Sequence, residues 1–181
     1  MWDLNSPKPV KLIIGILAAS HETLSAAREA LYTRFGTIDL ESDIWIFDQT
    51  EYYKDQTGEN ILRQFVTIEK LVDPALLAKI KLKTNKIEQK LALRLALNVP
   101  RPINLDPGII EPSKLILAST KNFSHRIYIG KKIYAEVTLI FHKGQWKTSD
   151  YTFPDYKQQK YFDFFDKVRK KLIEQTRNKP S

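Results

Sequence analysis

Cysteine is absent from the 181 residues. Disulfides, thiolate zinc sites and a cysteine nucleophile are therefore excluded. Glycine is scarce, and none of its six occurrences completes a G-x-x-x-x-G-K-[ST] loop, a G-x-G-x-x-G turn or a G-x-S-x-G elbow. A standard phosphate loop, a dinucleotide-binding turn and a hydrolase nucleophile elbow thus have no basis here. The only histidines are His21, His125 and His142, and no two stand at metal-ligand spacing. No metal site is expected. A magnesium site from Asp48, Asp106 and Glu136 is conceivable, but no spacing demands it. Long apolar runs are also missing. The stretch from Leu12 to Ala19 is far shorter than the roughly 20 residues a bilayer needs, and "MWDLNSPKPVK" has no basic leader region. A soluble, cytoplasmic protein is the expectation, and the lack of cysteine suits a reducing compartment.

Positive charge is in excess. Lysine and arginine number 29 against 21 acidic residues, for a formal net charge of +8. Such a balance favours anionic partners, nucleic acid among them. Part of the excess lies in the C-terminal "KVRKKLIEQTRNK", where cations complement a helix end without any partner. The length suits one domain with a proper core. Its expected limits are residues 10–176, between a flexible N-terminus at 1–9 and a flexible tail at 177–181.

The order of elements follows from hydrophobic period and punctuation. "VKLIIGILAA" is continuously apolar and predicts a central strand covered on both faces. Ser20 caps a helix with Leu24, Ala27, Leu31 and Phe35 at helical spacing, and Gly36 stops it. Strands are predicted at "DIWIFD" and "RQFVTIEKL". Asp73-Pro74 opens a helix to about Leu95 with Leu77, Ile80, Thr84, Ile87, Leu91 and Leu95 inward. A short strand "INL" follows, "DPG" reads as a turn, and Pro112 opens a short helix over "SKLILAST". A hairpin, a strand at "QWKTSDYTF" and a helix capped by Asp155, with Tyr161, Phe165, Val168 and Leu172 inward, complete the chain. The fold class is α+β. It has a ferredoxin-like β-α-β-β-α-β core with a mainly antiparallel sheet, extended by the hairpin and the last helix.

The hairpin "FSHRIYIGKKIYAEVTLIF" carries the main functional candidate. Its odd positions from Ile127 to Phe141 are all apolar, and a period of two predicts that they share the inward face. Parity then requires a loop with an odd number of residues, such as Gly130-Lys131-Lys132. That register sets Arg126 opposite Glu136 and Tyr128 opposite Tyr134. On a solvated face such an ion pair needs no function. In the functional reading, Arg126, Tyr128, Tyr134, Glu136 and Thr138, joined by His125, Asn104 and Asp106, form a polar pocket for an anion.

Other constellations are weaker. Lys79, Lys83, Lys86, Lys90 and Arg94 form a basic stripe that could track phosphates or simply face solvent. "FDQTEYYKDQTGEN" gathers Asp48, Thr50, Tyr52 and Tyr53 after a strand, either as a ligand loop or as a surface loop.

The stretches "PVKLIIGILAA", "IDLESDIWIFDQTEYY", "LVDP", "LKTN", "NLDPG", "SKLILASTKNFSHRIYIGKKIYAEVTL" and "FPDY" resemble a bacterial family of unknown function, domain of unknown function four-four-one-six, over about residues 9 to 172. The resemblance implies one compact domain and no established chemistry. Hairpins in that family often carry Asp-Gly where this chain has Lys131-Lys132, so a two-residue turn stays open. Some members are labelled GTP-binding. The nearest motif here is "NKIE" at Asn85–Glu88, in mid-helix and without a phosphate loop.

Three functions follow as expectations. The first is a binding module for a small anion, a nucleotide or an RNA end, on the hairpin face. The second is a phosphoester hydrolase using His125 as acid/base and Arg126 as clamp. It requires the two side chains to converge. The third is a scaffold with an exposed apolar patch. No cofactor is implied.

Overall fold

Strand β1 (Lys11–Ala18) is buried along its whole length. That is the expected consequence of a strand with apolar side chains on both faces. The computed structural model describes residues 4–48, 57 and 60–177. Among them, β1 is followed by α1 (His21–Phe35), β2 (Ile38–Glu41), β3 (Trp45–Ile46), β4 (Leu62–Ile68), α2 (Leu77–Leu95), β5 (Ile103–Glu111), β6 (Lys114–Ser119), β7 (Ile127–Tyr128), β8 (Tyr134–His142), β9 (Gln145–Thr148) and α3 (Gln159–Arg177). The strands form one sheet in the order β2-β4-β1-β5-β6-β8-β7, with β3 added to β4 and β9 to β8. Every named pairing is antiparallel. The class is α+β. Helix α1 links β1 to β2 around β4, and α2 links β4 to β5 around β1.

The caps act as their residue types dictate. Ser20 accepts from Thr23 N, and Gly36 closes α1 at φ 98°. Asp73 accepts from Ala75 N, and the first turn after it, Pro74–Leu76, is a 3-10 turn that runs into α2. Even residues of β1 (Leu12, Ile14, Ile16, Ala18) pack with Leu24, Ala27 and Leu31 of α1 and with Ile80 and Leu91 of α2. Ile13, on the other face, packs with Phe65 and with Tyr161, Phe165 and Val168 of α3. The sheet is therefore covered on both sides.

Several expectations change. Strand β2 was not predicted, and "DIWIFD" contributes only Trp45–Ile46. "SKLILAST" is strand β6, not a helix, and Pro112 lies in the tight connection between β5 and β6. Its run Leu-Ile-Leu-Ala fits either state, and pairing with β5 and β8 decides it. The predicted last strand shrinks to Gln145–Thr148. Thr50, Tyr52 and Tyr53 lie outside the described residues.

The largest correction concerns "DPG". It is not a turn but the middle of β5, where Asp106, Pro107 and Gly108 pair with Gly15, Ile14 and Ile13 of β1. Proline is tolerated because its nitrogen points away from β1, toward β6. There it has no N–H to offer, and the β5/β6 ladder stops at Gly108↔Leu117. Both strands run on: β5 starts at Ile103, and β6 continues to Ser119 beside β8. The sheet thus splits between two of its own strands. Gly108 holds the last rung close. A Cβ there would stand 2.5 Å from Ile116 O and 2.7 Å from Leu117 Cδ2. Gly108→Ala is expected to lower stability by about 1–3 kcal/mol by forcing the strands apart. Urea denaturation measures this, and an unchanged midpoint would refute the close approach.

Candidate functional site

The split between β5 and β6 opens into a cavity of about 590 Å³. That volume lies within the range of small-molecule sites. Asn104 and Asp106 line it from β5, the end of β6 and Lys121 from the far side, and Arg126 and Glu136 from the hairpin. Phe47, Arg63, Lys81 and Arg101 add to the wall, and Phe153-Pro154-Asp155-Tyr156, the segment leading into α3, closes it. Four of the seven predicted ligand-binding residues, Asn104, Asp106, Arg126 and Glu136, are thereby brought together. Tyr128, Tyr134 and Thr138 do not line the cavity, and neither does His125.

The hairpin has the predicted register. Ile127 pairs with Ala135 and Tyr128 with Tyr134, around a Gly130-Lys131-Lys132 loop closed by Ile133 N donating to Gly130 O. All three loop residues take positive φ. Arg126 Nε donates to Glu136 Oε2 at 2.7 Å. The assignment of faces is a correction. Glu136 and Thr138 are buried, at 3% and 1% exposure, whereas Ile127 and Val137 are exposed, at 70% and 44%. A β-bulge explains it. β6 pairs Ile116 with Val137 but Leu115 with Leu139, so Thr138 is the extra residue. The bulge shifts the side-chain phase. Ile133 packs with Leu77 of α2, while Leu139 packs with Phe165 of α3 on the opposite face. One apolar set therefore serves both sides of the sheet, and Glu136 shares the α3 side.

Glu136 is the hub of this end. Its Oε2 receives Arg126 Nε and lies 3.0 Å from His125 Nε2, and its Oε1 accepts from Thr138 Oγ1 at 3.1 Å. Arg126 Nη1 also donates to Lys121 O at 2.9 Å. His125 and Arg126 do converge, because residues 124–125 form a turn and not a regular strand. They converge on a shared carboxylate, however, not on open space. The His125 ring stacks on Tyr151, with centroids 4.5 Å apart and 10° between planes. Tyr128 and Tyr134 meet each other, with centroids 5.4 Å apart.

Sequence reasoning missed Arg63 and Lys81. Arg63 on β4 is buried and donates from Nη2 to Asp155 Oδ2 at 2.7 Å. Asp155 was expected as the cap of the last helix, and the buried arginine takes its carboxylate instead. The guanidinium carbon lies 5.2, 5.3 and 5.7 Å from the ring centroids of Phe47, Phe65 and Tyr156. Burial works against the Arg63 charge, but the Asp155 carboxylate and the Tyr156 and Tyr161 phenols outweigh it and hold the pKa above its ordinary value. Burial likewise pushes the Tyr156 phenol well up. Gly15 makes room for both groups, since a Cβ there would be 2.9 Å from Arg63 Nη1 and 3.3 Å from Tyr156 Oη. Among the described residues, Arg63 Nε and Nη1 and the Tyr156 hydroxyl are buried without a hydrogen-bond partner. A lone glycine in an apolar strand is the one sequence signal of such a close approach.

Lys81 and Glu88 satisfy the backbone that the split exposes. Lys81 Nζ donates to Leu105 O at 2.8 Å, and Leu105 N donates to Glu88 Oε1 at 2.8 Å. Lys81 also stands 3.4 Å from Asp106 Oδ1, which helps fix the carboxylate beside Asn104. Burial raises the Glu88 pKa, with Lys81 and Arg101 opposing. Arg101 pairs with Glu88 at 2.6 Å. Within "NKIE", Glu88 is thus engaged in supporting β5. Lys79, Lys86, Lys90 and Arg94 are exposed and Lys83 half-buried on the other side of α2, away from the cavity.

Among the described residues no group of three His, Cys, Asp or Glu side chains could hold a metal ion, so Asp48, Asp106 and Glu136 do not assemble. No helix among them is long and apolar enough to cross a membrane. Comparisons with curated proteins and with solved structures give no significant match. The family model Domain of unknown function (DUF4416) matches residues 8–172, and the chain belongs to that family.

Proposed function

We propose that this protein is a binding module for a small anionic ligand, a nucleotide or the end of a nucleic acid, received in the cavity between β5 and β6. The charge of the walls supports the reading most directly. Five cations line the cavity: Arg63, Lys81, Arg101, Lys121 and Arg126. Its three carboxylates, Asp155, Asp106 and Glu136, are already engaged by Arg63, Lys81 and Arg126. Among the described lining residues cations outnumber carboxylates five to three, with Arg101 also paired to Glu88, in a concave site where water screens poorly. Arg126 is held by Glu136 and by Lys121 O, so its planar fork is oriented before a ligand arrives.

Calorimetry and thermal shift with a panel of nucleotides test the reading. A ligand at a hundred times its Kd adds about 2.7 kcal/mol of stability. Arg126→Ala and the charge-conserving Arg126→Lys are each expected to weaken binding at least tenfold, since a bidentate anion contact needs the guanidinium fork. Undiminished affinity in Arg126→Lys, confirmed as folded, would refute the assigned site.

The hydrolase reading is favoured by the convergence of His125 and Arg126. It fits less well, because His125 Nε2 is taken by Glu136 and its ring is stacked on Tyr151 outside the cavity. His125 reads better as a positioning residue for Glu136.

A further inference from the structure

Three exposed aromatic rings lie at the hairpin end of the protein, and one of them, Phe153, lines the cavity. Phe123, Tyr151 and Phe153 are 59%, 51% and 40% exposed. Phe123, Tyr151 and His125 pack as a triangle, with Phe123 and Tyr151 6.3 Å apart and the His125 ring 5.5 Å and 4.5 Å from them. The cluster is tied to the cavity at two points. His125 bonds Glu136, and Phe153 lines the cavity while carrying the Arg126 guanidinium carbon 5.8 Å from its centroid. Lys121, another lining cation, precedes Phe123 by two residues. Among the described residues Phe123 and Tyr151 join none of the buried apolar groups, so their faces are open to solvent.

We infer that the ligand is the phosphorylated end of a single-stranded nucleic acid, with its terminal phosphate in the cavity and the next bases stacked on Phe123 and Tyr151. The inference rests on the anion-binding reading above and narrows it. Flat rings beside cations suit single strands, because every base offers a π-face and the cations follow its phosphates. A duplex keeps its bases stacked on each other and would leave the rings unused. A free mononucleotide has no further bases to stack on the rings. The formal net charge of +8 adds long-range attraction for a polyanion.

Fluorescence anisotropy at one fixed salt concentration tests this. The probes are deca-uridylate with a 5′-phosphate, with a 3′-phosphate or with neither, the deca-deoxythymidylate equivalents, a duplex of equal length, UMP, and a phosphoserine peptide. One of the phosphorylated decamers is expected to bind at least tenfold tighter than UMP, the duplex and the unphosphorylated decamer. The Phe123→Ala/Tyr151→Ala variant should bring that decamer down to the level of UMP, about tenfold or more. Tyr151→Phe, which keeps the ring, should retain the advantage. UMP binding with no gain from the decamer would overturn the inference and leave the binding reading standing. So would a gain that survives loss of both rings, or a phosphopeptide that binds better than any oligonucleotide. If neither UMP nor any oligonucleotide binds, the binding reading itself fails.

Discussion

Arg63→Met is expected to destabilise the fold by about 3–5 kcal/mol, the usual loss when one partner of a buried ion pair is removed. Asp155 is buried, and its Oδ2 is held by Arg63 Nη2 at 2.7 Å. Without the guanidinium, the carboxylate is left uncompensated beneath α3. Three rings also lose a cation they surround. Removing both charges separates this explanation from simple loss of packing. Arg63→Met/Asp155→Leu should recover most of the stability, because a well-packed apolar pair replaces an ion pair at little net change. Urea denaturation of the three proteins decides the matter. A double variant no more stable than Arg63→Met would mean that the loss comes from the side chain's bulk.

Glu136→Ala is expected to lower stability by about 3 kcal/mol, at the low end of the same range. The carboxylate is buried and serves Arg126, His125 and Thr138 together. Removing it leaves three polar groups without their partner, and an uncompensated buried donor is destabilising in its own right. The loss stays at the low end because Arg126 can turn into the open cavity. Glu136→Gln should lose less, since the amide oxygen still accepts from one donor. Denaturation midpoints of the two variants check the order. Equal stabilities would show that the carboxylate's charge, and not its shape or a single remaining acceptor, carries the contribution. Thr138→Val, which removes only one donor, sets the scale of a single contact.

Much of the fold was legible because its determinants are local. The apolar period of α1, α2 and α3, the Ser20 and Asp73 caps and the continuous hydrophobicity of β1 all act within a few residues. The hairpin register was legible for the same reason. Parity of the loop and of the side-chain period suffices to set Arg126 against Glu136.

The site was legible only in part. Lys81 looks no different from Lys79 or Lys83 in a lysine-rich helix, and its burial depends on the Leu105 carbonyl being free. That carbonyl is free because β5 and β6 part at Pro107, which a reader of "NLDPG" places in a turn. The same proline is compatible with a strand when its nitrogen faces away from the neighbour. Arg63 and Asp155 are separated by 92 positions, so no local pattern relates them.

Local chemistry alone thus settled the three long helices, the caps of α1 and the start of α2, and which hairpin residues face each other. It could not settle which side of the sheet those residues meet, because a single extra residue at Thr138 reverses the alternation and its placement depends on the pairing with β6. Nor could it place the cavity, which exists where two neighbouring strands fail to pair and where side chains from several separate segments fill in around the gap. Long-range pairing and packing decide such features, and they leave no signature within a window of a few residues.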